Sequence, residues 1–357
     1  KFKSALYYND DEDSVIFTHN KESRIRHHIN SPMRNTNRSP SVNSRIEKSD
    51  PFFNCTFNKL ILPSSIMTVK NINSYLLIRR MNTIVIPDSI HSIDAHSFEN
   101  CTSLQNIEFP YSLTRIEEYA FNGCSSLSQI NIPDSLTYIG NNAFCGCQKL
   151  KKIVIPNTVK ILGKDAFKNC TAISEITIDP YSTSFKEDPF TNCLSLNHLI
   201  LGSSVKNVPK LYNFWLIQKI KKITIPNSII QLGEDSFKGY SSLTQVVLPM
   251  SITQIGASSF YDCRNLQQIT IPSSITSIGD NAFANCTSLL SISIPSTVNS
   301  IGSSAFDGCK ALKEVSIDSA ATKIGSSAFN NCISLLKIKI PNSLKKIENN
   351  TFCNCKS

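Results

Sequence analysis

Apolar residues alternate with polar ones in a short segment of each repeat along this chain. Leu266, Ile269 and Ile271 mark one such segment, and their spacing is typical of a strand with one buried face. Pro272 follows and has no N–H group, so it is expected to end the strand pairing. Residues 282–289 then place apolar side chains three to four apart, which predicts a short helical turn on the opposite side of the unit.

The unit recurs with a period of 23 residues, apart from one step of 24 residues. A phenylalanine marks each copy: Phe98, Phe121, Phe144, Phe167, Phe190, Phe214, Phe237, Phe260, Phe283, Phe306, Phe329 and Phe352. In most copies a cysteine follows the phenylalanine by three residues. Self-similarity at a fixed period of this length predicts a solenoid. Because a solenoid usually offers a long surface rather than a catalytic pocket, the pattern favours a binding function.

The periodicity divides the chain into two predicted regions. Residues 1–50 are polar and lack the period, so we predict a disordered segment; the alternative is that residues 15–17 add a strand to the first coil. Residues 51–357 predict a solenoid of about 14 coils, with degenerate coils near residues 64–86 and 203–225. No polar capping unit follows the last repeat, so we expect a fragment or an end that packs against something else.

Composition narrows the class of partner. Charged residues make up only 18% of the chain. The net charge of +9 divides into +2 for residues 1–50, which hold nine Lys/Arg and seven Asp/Glu, and +7 for the remainder. This thinly spread charge disfavours a nucleic-acid partner, which needs cations concentrated on one face. No apolar run reaches the roughly 18 residues of a membrane helix, so no transmembrane segment is predicted, and no secretory signal is visible.

The strand segment, Leu-x-x-Ile-x-Ile, matches the strand signature of leucine-rich repeats. The whole unit reads Ile-Pro-x-Ser-Ile-x-x-Ile-Gly-x-x-Ala-Phe-x-x-Cys-x-x-Leu-x-x-Ile-x-Ile-Pro, and it resembles the BspA-like leucine-rich repeat family over residues 51–357. The resemblance implies an α/β solenoid: a curved parallel β-sheet with short helical or 3-10 turns on the opposite side. It also implies surface-exposed adhesion or host-protein binding. One departure is a proline in most copies where the family has an asparagine after the strand.

The cysteines form the most regular set of reactive groups. Neighbouring coils whose strands pair lie ~4.8 Å apart, which is close enough for disulfides between successive cysteines. The same position accepts Ile78 and Tyr240, however, and cysteine often behaves as a small buried hydrophobe. We therefore predict free buried thiols, with ladder disulfides as the alternative.

Four Asn-Cys-Thr sequons begin at Asn54, Asn100, Asn169 and Asn285. Each would accept a glycan in a secreted protein. Each asparagine also lies beside a cysteine of the repeat, where a glycan would crowd the stack. We predict instead that these asparagines close turns with their short polar side chains.

Catalytic and cofactor motifs do not emerge from the repeat. None of the six histidines recurs at the period, and neither a Gly-rich phosphate loop nor a Gly-x-Ser-x-Gly elbow is present. The two Cys-x-Cys pairs lack the spacing of a zinc site. The sequence therefore predicts a protein that is not an enzyme and that has no cofactor and no metal.

The candidate protein-binding face is the row of side chains between the two buried residues of each strand. Its members are mostly small and neutral: Asn131, Thr177, Thr224, Val247, Thr270, Ser293 and Ser316. The alternative is that they are simply good strand formers. A secondary candidate is the basic-aromatic break in the repeat, which holds Trp215, Lys219, Lys221 and Lys222.

These patterns favour a non-enzymatic protein-binding solenoid, and the family resemblance places it at the cell surface in adhesion. The alternative is a cytoplasmic scaffold or regulatory module with a flexible leader, phosphorylated at the Ser-Pro pairs of Ser31 and Ser39. The ligand and the oligomeric state are not specified by the sequence.

Overall fold

The computed structural model describes residues 4–9, 14–19, 58–62, 64, 69, 78–178, 184–185, 187–203, 207–208, 218–318 and 323–356. The chain forms two compact units. Unit 1 comprises Lys1–Lys151, Ile161–Thr171 and Phe185–Cys193. Unit 2 comprises Lys152–Lys160, Ala172–Ser184 and Leu194–Ser357.

Short strands recur twice in most coils. The first twelve are β1 (Ser4–Asn9), β2 (Ser14–His19), β3 (Lys59–Ile61), β4 (Thr83–Val85), β5 (Ser92–Ile93), β6 (Asn106–Glu108), β7 (Arg115–Ile116), β8 (Tyr138–Ile139), β9 (Lys152–Val154), β10 (Ile161–Leu162), β11 (Glu175–Ile178) and β12 (Ser184–Phe185). The others are β13 (His198–Leu201), β14 (Asn207–Val208), β15 (Lys222–Thr224), β16 (Gln231–Leu232), β17 (Gln245–Val247), β18 (Gln254–Ile255), β19 (Gln268–Ile269), β20 (Ser277–Ile278), β21 (Ser291–Ile294), β22 (Ser300–Ile301), β23 (Glu314–Ile317), β24 (Lys323–Ile324) and β25 (Lys337–Lys339).

Equivalent strands of successive coils pair in parallel. In unit 2 one sheet has the order β19-β17-β15-β13-β11-β9, a second has the order β14-β16-β18-β20-β22-β24, and a third has the order β21-β23-β25. Ile176 aligns with Ile153 on one side and with Leu199 on the other, so buried residues lie opposite buried residues. A slip of one residue would expose every one of them, and this fixes the register.

Stacked phenylalanines fill the core on the side away from the longer strands. In unit 1 the rings of Phe98, Phe121, Phe144, Phe167 and Phe190 lie 5.0–5.3 Å apart, with planes within 9° of parallel. In unit 2 the stack runs through Phe237, Phe260, Phe283, Phe306 and Phe329 at 5.2–5.5 Å. These rings are fully buried, so each coil depends on its neighbours for most of its apolar burial.

The predicted helical turns are wrong. Helix in the described ranges is confined to the 3-10 helix Ile78–Arg80 and two helical residues, Gln218 and Lys219. Around Phe283, Asn281 and Asn285 have φ angles of 54° and 60°, and residues in this left-handed conformation cannot continue a right-handed helix.

The fold is therefore a parallel β-solenoid with almost no helix, and it has about 11 turns; the α/β label and the count of 14 coils are not confirmed. The turn carries a backbone ladder of its own, since the N–H groups of Asn281, Phe283 and Asn285 donate to the carbonyls of Ser303, Ala305 and Asp307 in the next coil, at 2.8–2.9 Å. A second sheet, made of two-residue strands such as Ser277–Ile278, was also not predicted.

Two strands lie within residues 1–50, where disorder was predicted. β1 and β2 pair antiparallel, and β2 pairs in parallel with β3, which places Val15 opposite Leu60. This pairing is the one that the alternative describes, in which residues 15–17 add a strand to the first coil, and disorder across residues 1–50 stays a prediction. Val15, Ile16 and Phe17 are β-branched or aromatic residues, which are enriched in strands. The rest of residues 1–50 and most of the two degenerate coils lie outside the described residues.

Candidate protein-binding face

The predicted outward row lies on the longer-stranded sheet of each unit. In β11, Ile176 and Ile178 are fully buried and Thr177 lies between them, half-buried, on the outer face. The pairing register then connects neighbours: Thr177 aligns with Val154 and Ile200, and Thr224 aligns with Ile200 and Val247. Side chains aligned in this way stand side by side on one face, ~4.8 Å apart from strand to strand.

The row continues beyond Val247 in unit 2. Thr270 and Ser293 are exposed, and Ser316 is half-buried between aligned Ser293 and Lys339. Asn131 is exposed and lies outside a strand; it is the one candidate residue that belongs to unit 1. Six of the seven candidate residues therefore share one face of unit 2.

A second outward column was missed by the sequence reasoning. It lies two residues before the first column: Lys152, Glu175, His198, Lys222, Gln245 and Gln268. Residues i and i+2 of a strand share a face, so the spacing itself could have revealed this column.

His198 is the centre of a hydrogen-bonded cluster on this face. Its Nδ1 lies 3.0 Å from Oε2 of Glu175, and its Nε2 lies 2.9 Å from Oγ1 of Thr224. The His198 side chain is only 16% exposed, and the Glu175 side chain is 34% exposed. Three adjacent strands thus contribute one side chain each to an ordered polar cluster.

The secondary candidate, the basic-aromatic break in the repeat, lies partly on the same face. Trp215 lies outside the described residues, and Lys219 is half-buried just before β15. The N–H groups of Lys221 and Lys222 both donate to the carbonyl of Asn197, at 2.8 and 3.0 Å. Lys222 therefore aligns with His198 on the outer face, and the basic break is continuous with the row.

The cysteines are held as free thiols, which confirms that prediction for the described part of the chain. From Cys124 onward, each buried thiol donates to the carbonyl of the phenylalanine 26 residues earlier: the distance is 3.1 Å from Cys124 to Phe98 in unit 1 and 3.2 Å from Cys286 to Phe260 in unit 2. Burial raises the pKa of the Cys286 thiol well above its ordinary value. The thiolate form is thereby suppressed, and these positions are structural.

Cys353 and Cys145 differ from the other cysteines. The Cys353 side chain is exposed, and Cys145 is half-buried. Neither occupies the position three residues after a phenylalanine, where the buried cysteines lie.

Three of the four sequon asparagines lie in turns with a left-handed backbone, and closure of the turn by their side chains stays a prediction. Asn100, Asn169 and Asn285 have φ angles of 59–60°, whereas Asn54 lies outside the described residues. Glycine occupies the same position in other coils, for example Gly308 with a φ of 72°. Asparagine and glycine are the residues that tolerate this left-handed conformation best.

The glycines that recur once per repeat, such as Gly279, allow neighbouring coils to pack closely. Gly279 has no positive φ, but a Cβ atom at this position would lie 2.6 Å from the backbone nitrogen of Ala257 in the preceding coil. The reason for glycine is the approach of two backbones.

No group of three or more metal-ligating side chains occurs within the residues that the structure covers. A cavity of about 310 Å³ lies against Gly279, Gly302 and Gly325 on the shorter-stranded side of unit 2. None of the candidate residues lines it. No described helix is long and apolar enough to cross a bilayer.

The stacked parallel strands and the repeated Leu-x-x-Ile-x-Ile core define a leucine-rich repeat solenoid. The chain belongs to the BspA type leucine-rich repeat family, whose model matches residues 37–151, 71–197, 137–258 and 232–357. Proteins of this family and fold are generally non-enzymatic and are associated with protein binding.

Comparison with solved structures gives similar proteins at low identity. A leucine-rich repeat protein from Bacteroides ovatus is 23% identical, with 99% of this chain and 91% of that chain covered and a TM-score of 0.45. A leucine-rich cell surface protein from Faecalibacterium prausnitzii is 25% identical, with coverage of 94% and 92% and a TM-score of 0.35. The leucine-rich repeat protein of T. pallidum is 22% identical, with coverage of 74% and 88% and a TM-score of 0.32. No match was found among curated proteins.

Proposed function

We propose that this chain is a non-enzymatic protein-binding protein and that the outer face of unit 2 is its binding surface. One observation carries the proposal. The outward side chains of successive coils align in one field, while the buried residues beside them repeat almost unchanged. The fold therefore leaves the chemistry of the outward positions free, and such positions suit recognition by many modest contacts.

The His198 cluster is assigned to binding rather than to catalysis. A carboxylate, an imidazole and a hydroxyl in sequence also occur in hydrolase triads. Those enzymes require N–H groups directed at the oxyanion as well. β11, β13 and β15 are interior strands whose backbone groups pair within the sheet, which favours a structural and recognition role for Glu175, His198 and Thr224.

We place the protein at a cell surface, in adhesion or in contact with host proteins. This part of the proposal rests on the family match. The competing hypothesis, an intracellular scaffold, requires a phosphorylatable leader at Ser31 and Ser39, which lie outside the described residues. Labelling intact cells with a membrane-impermeant reagent distinguishes the two: labelled protein supports the surface location, and labelling only after lysis supports the scaffold.

The binding surface is tested with a displayed random peptide library selected on the wild-type chain. Thr270→Lys/Ser293→Lys places two charges in the candidate face. Ser273→Lys/Ser296→Lys is the matched control, because both serines are exposed in turns of the same two coils. Enriched clones should lose binding to the first variant and keep binding to the second. Normal binding to the first variant, together with loss on changing Trp215, would move the site to the degenerate coil.

A further inference from the structure

One end of the outer face of unit 2 differs in chemistry from the rest. We call it the basic-apolar region and define it by Lys152, Val154, Ile200, Lys222 and Val247. It spans the adjacent strands β9, β11, β13, β15 and β17. The following coils instead present small or neutral side chains there: Gln268, Thr270, Ser291 and Ser293.

The apolar members of this region are spaced regularly. Val154 is 54% exposed, Val247 is 46% exposed, and Ile200 is half-buried between them. The register places Thr177 between Val154 and Ile200, and Thr224 between Ile200 and Val247. The apolar side chains thus recur at every second strand, a spacing of about 9.6 Å. A row of exposed apolar side chains is typical of an interaction site.

The charges beside this row are mainly positive. Lys152 aligns with Glu175, and Lys222 aligns with His198, but neither lysine has an ion pair within 4.0 Å among the described residues. The carboxylate of Glu175 is instead directed to His198, 3.0 Å away. The exposed Lys152 and the half-buried Lys222 are therefore available to a partner, and Lys221, which is exposed, adds a third ammonium group next to Lys222 in the chain.

We propose that the basic-apolar region binds an extended acidic segment of a partner protein, with apolar side chains at every third residue of the segment. A polyproline II segment has three residues per turn and a rise of about 3.1 Å, so every third side chain points the same way at intervals of about 9.3 Å. That interval matches the spacing of Val154, Ile200 and Val247. Carboxylates on an adjacent side of the segment would then lie near Lys152 and Lys222. This inference rests on the proposed function, since it names the partner of the same face.

The test uses a fluorescein-labelled peptide of four leucine-glutamate-proline repeats, with glutamine and lysine versions as controls. Fluorescence anisotropy with the full chain should show saturable binding of the glutamate peptide, weaker binding of the glutamine peptide and none of the lysine peptide. Binding of the glutamate peptide should weaken as salt rises, because the lysines are near the surface. Equal binding of all three peptides would refute the charge complementarity.

Variants locate the site. Lys152→Glu/Lys222→Glu should weaken the glutamate peptide by about tenfold or more, as expected when two attractions become repulsions. Lys310→Glu/Lys323→Glu changes the net charge equally at exposed positions away from the region and should leave affinity within about twofold. Equal loss in both variants, or displacement of the peptide by a thymidine oligonucleotide at lower concentration, would overturn the proposal.

The two proposals fail in different ways. If the glutamate peptide does not bind while library clones still depend on Thr270 and Ser293, the acidic partner is wrong and the binding face stands. If library clones bind equally to every variant of the outer face, the binding face is wrong as well.

Discussion

The turn side and the outer face of each coil in unit 2 have different roles. On the turn side, Phe283 stacks at 5.3 Å on each neighbouring ring, and the Cys286 thiol donates to the carbonyl of Phe260 in the preceding coil. On the outer face, Thr270 and Ser293 are exposed to solvent. The side chains that pack between neighbouring coils therefore recur in most coils, whereas the side chains on the outer face differ between coils. Positions that vary from coil to coil are those that folding leaves free.

The largest expected effect comes from breaking the register. Deleting residues 250–272 removes one full period, so every later apolar residue should return to its buried position and the protein should fold. Deleting residues 250–260 shifts all later coils out of phase with the preceding ones and should abolish cooperative unfolding. Thermal unfolding followed by circular dichroism compares the two deletions. Equal stability would contradict the solenoid.

Truncating one ring on the turn side should have the next largest effect. Phe283→Ala removes a fully buried ring from the stack and should lower the free energy of unfolding by about 3–5 kcal/mol. Thr270→Ala, in the same coil but on the outer face, should change it by less than about 0.5 kcal/mol. Urea denaturation measures both, and a similar loss for the two variants would remove the distinction between the sides.

Substitutions at Gly279 and Gly239 distinguish two reasons for glycine, namely lack of space for a Cβ atom and a left-handed backbone conformation. Gly279→Ala forces a Cβ against the backbone of Ala257 and should cost about 1–3 kcal/mol. Gly239 has a φ of 78° and open space where a Cβ atom would lie, so Gly239→Ala should cost about 1–2 kcal/mol from conformation alone.

Gly239→Asn provides the control for conformation. Asn285 occupies the equivalent position with a φ of 60°, so asparagine should be tolerated better than alanine at residue 239. The same urea denaturation series measures it. If Asn and Ala cost the same there, the left-handed conformation is not what selects the residue.

The smallest expected effect concerns the alkylation of the cysteine thiols, which leaves the folded protein nearly unchanged. Burial raises the pKa of the Cys286 and Cys309 thiols, so little thiolate forms at mildly alkaline pH and alkylation should be slow until the chain unfolds. The exposed Cys353 should react first in native buffer. Mass spectrometry after timed alkylation measures the order. Rapid labelling of Cys286, or a bond from Cys263 to Cys286, would contradict the free buried ladder.

The sequence predicted the stacked core well because a 23-residue period in Phe283, Cys286 and Leu289 reports burial directly. It failed at the turn, where apolar residues three to four apart suggested a helix. Asparagine and glycine both occur at the position two residues after the phenylalanine, as at Asn285 and Gly308, and this pattern could have predicted a left-handed backbone there.

The outer face was predicted only in part. Alternation around Thr270 and Ser293 placed the first column correctly. The cluster around His198 was missed because it depends on contacts across three strands, and these are set by register rather than by spacing within one repeat.

The most direct test of the central claim measures affinity for a library-selected peptide at equal stability. Thr270→Lys/Ser293→Lys should unfold at the same urea concentration as the wild-type chain, because both side chains are exposed, yet it should lose the peptide. Ser273→Lys/Ser296→Lys should keep both. Retained binding in the first variant, or binding lost only together with stability, would contradict a face that folding leaves free for recognition.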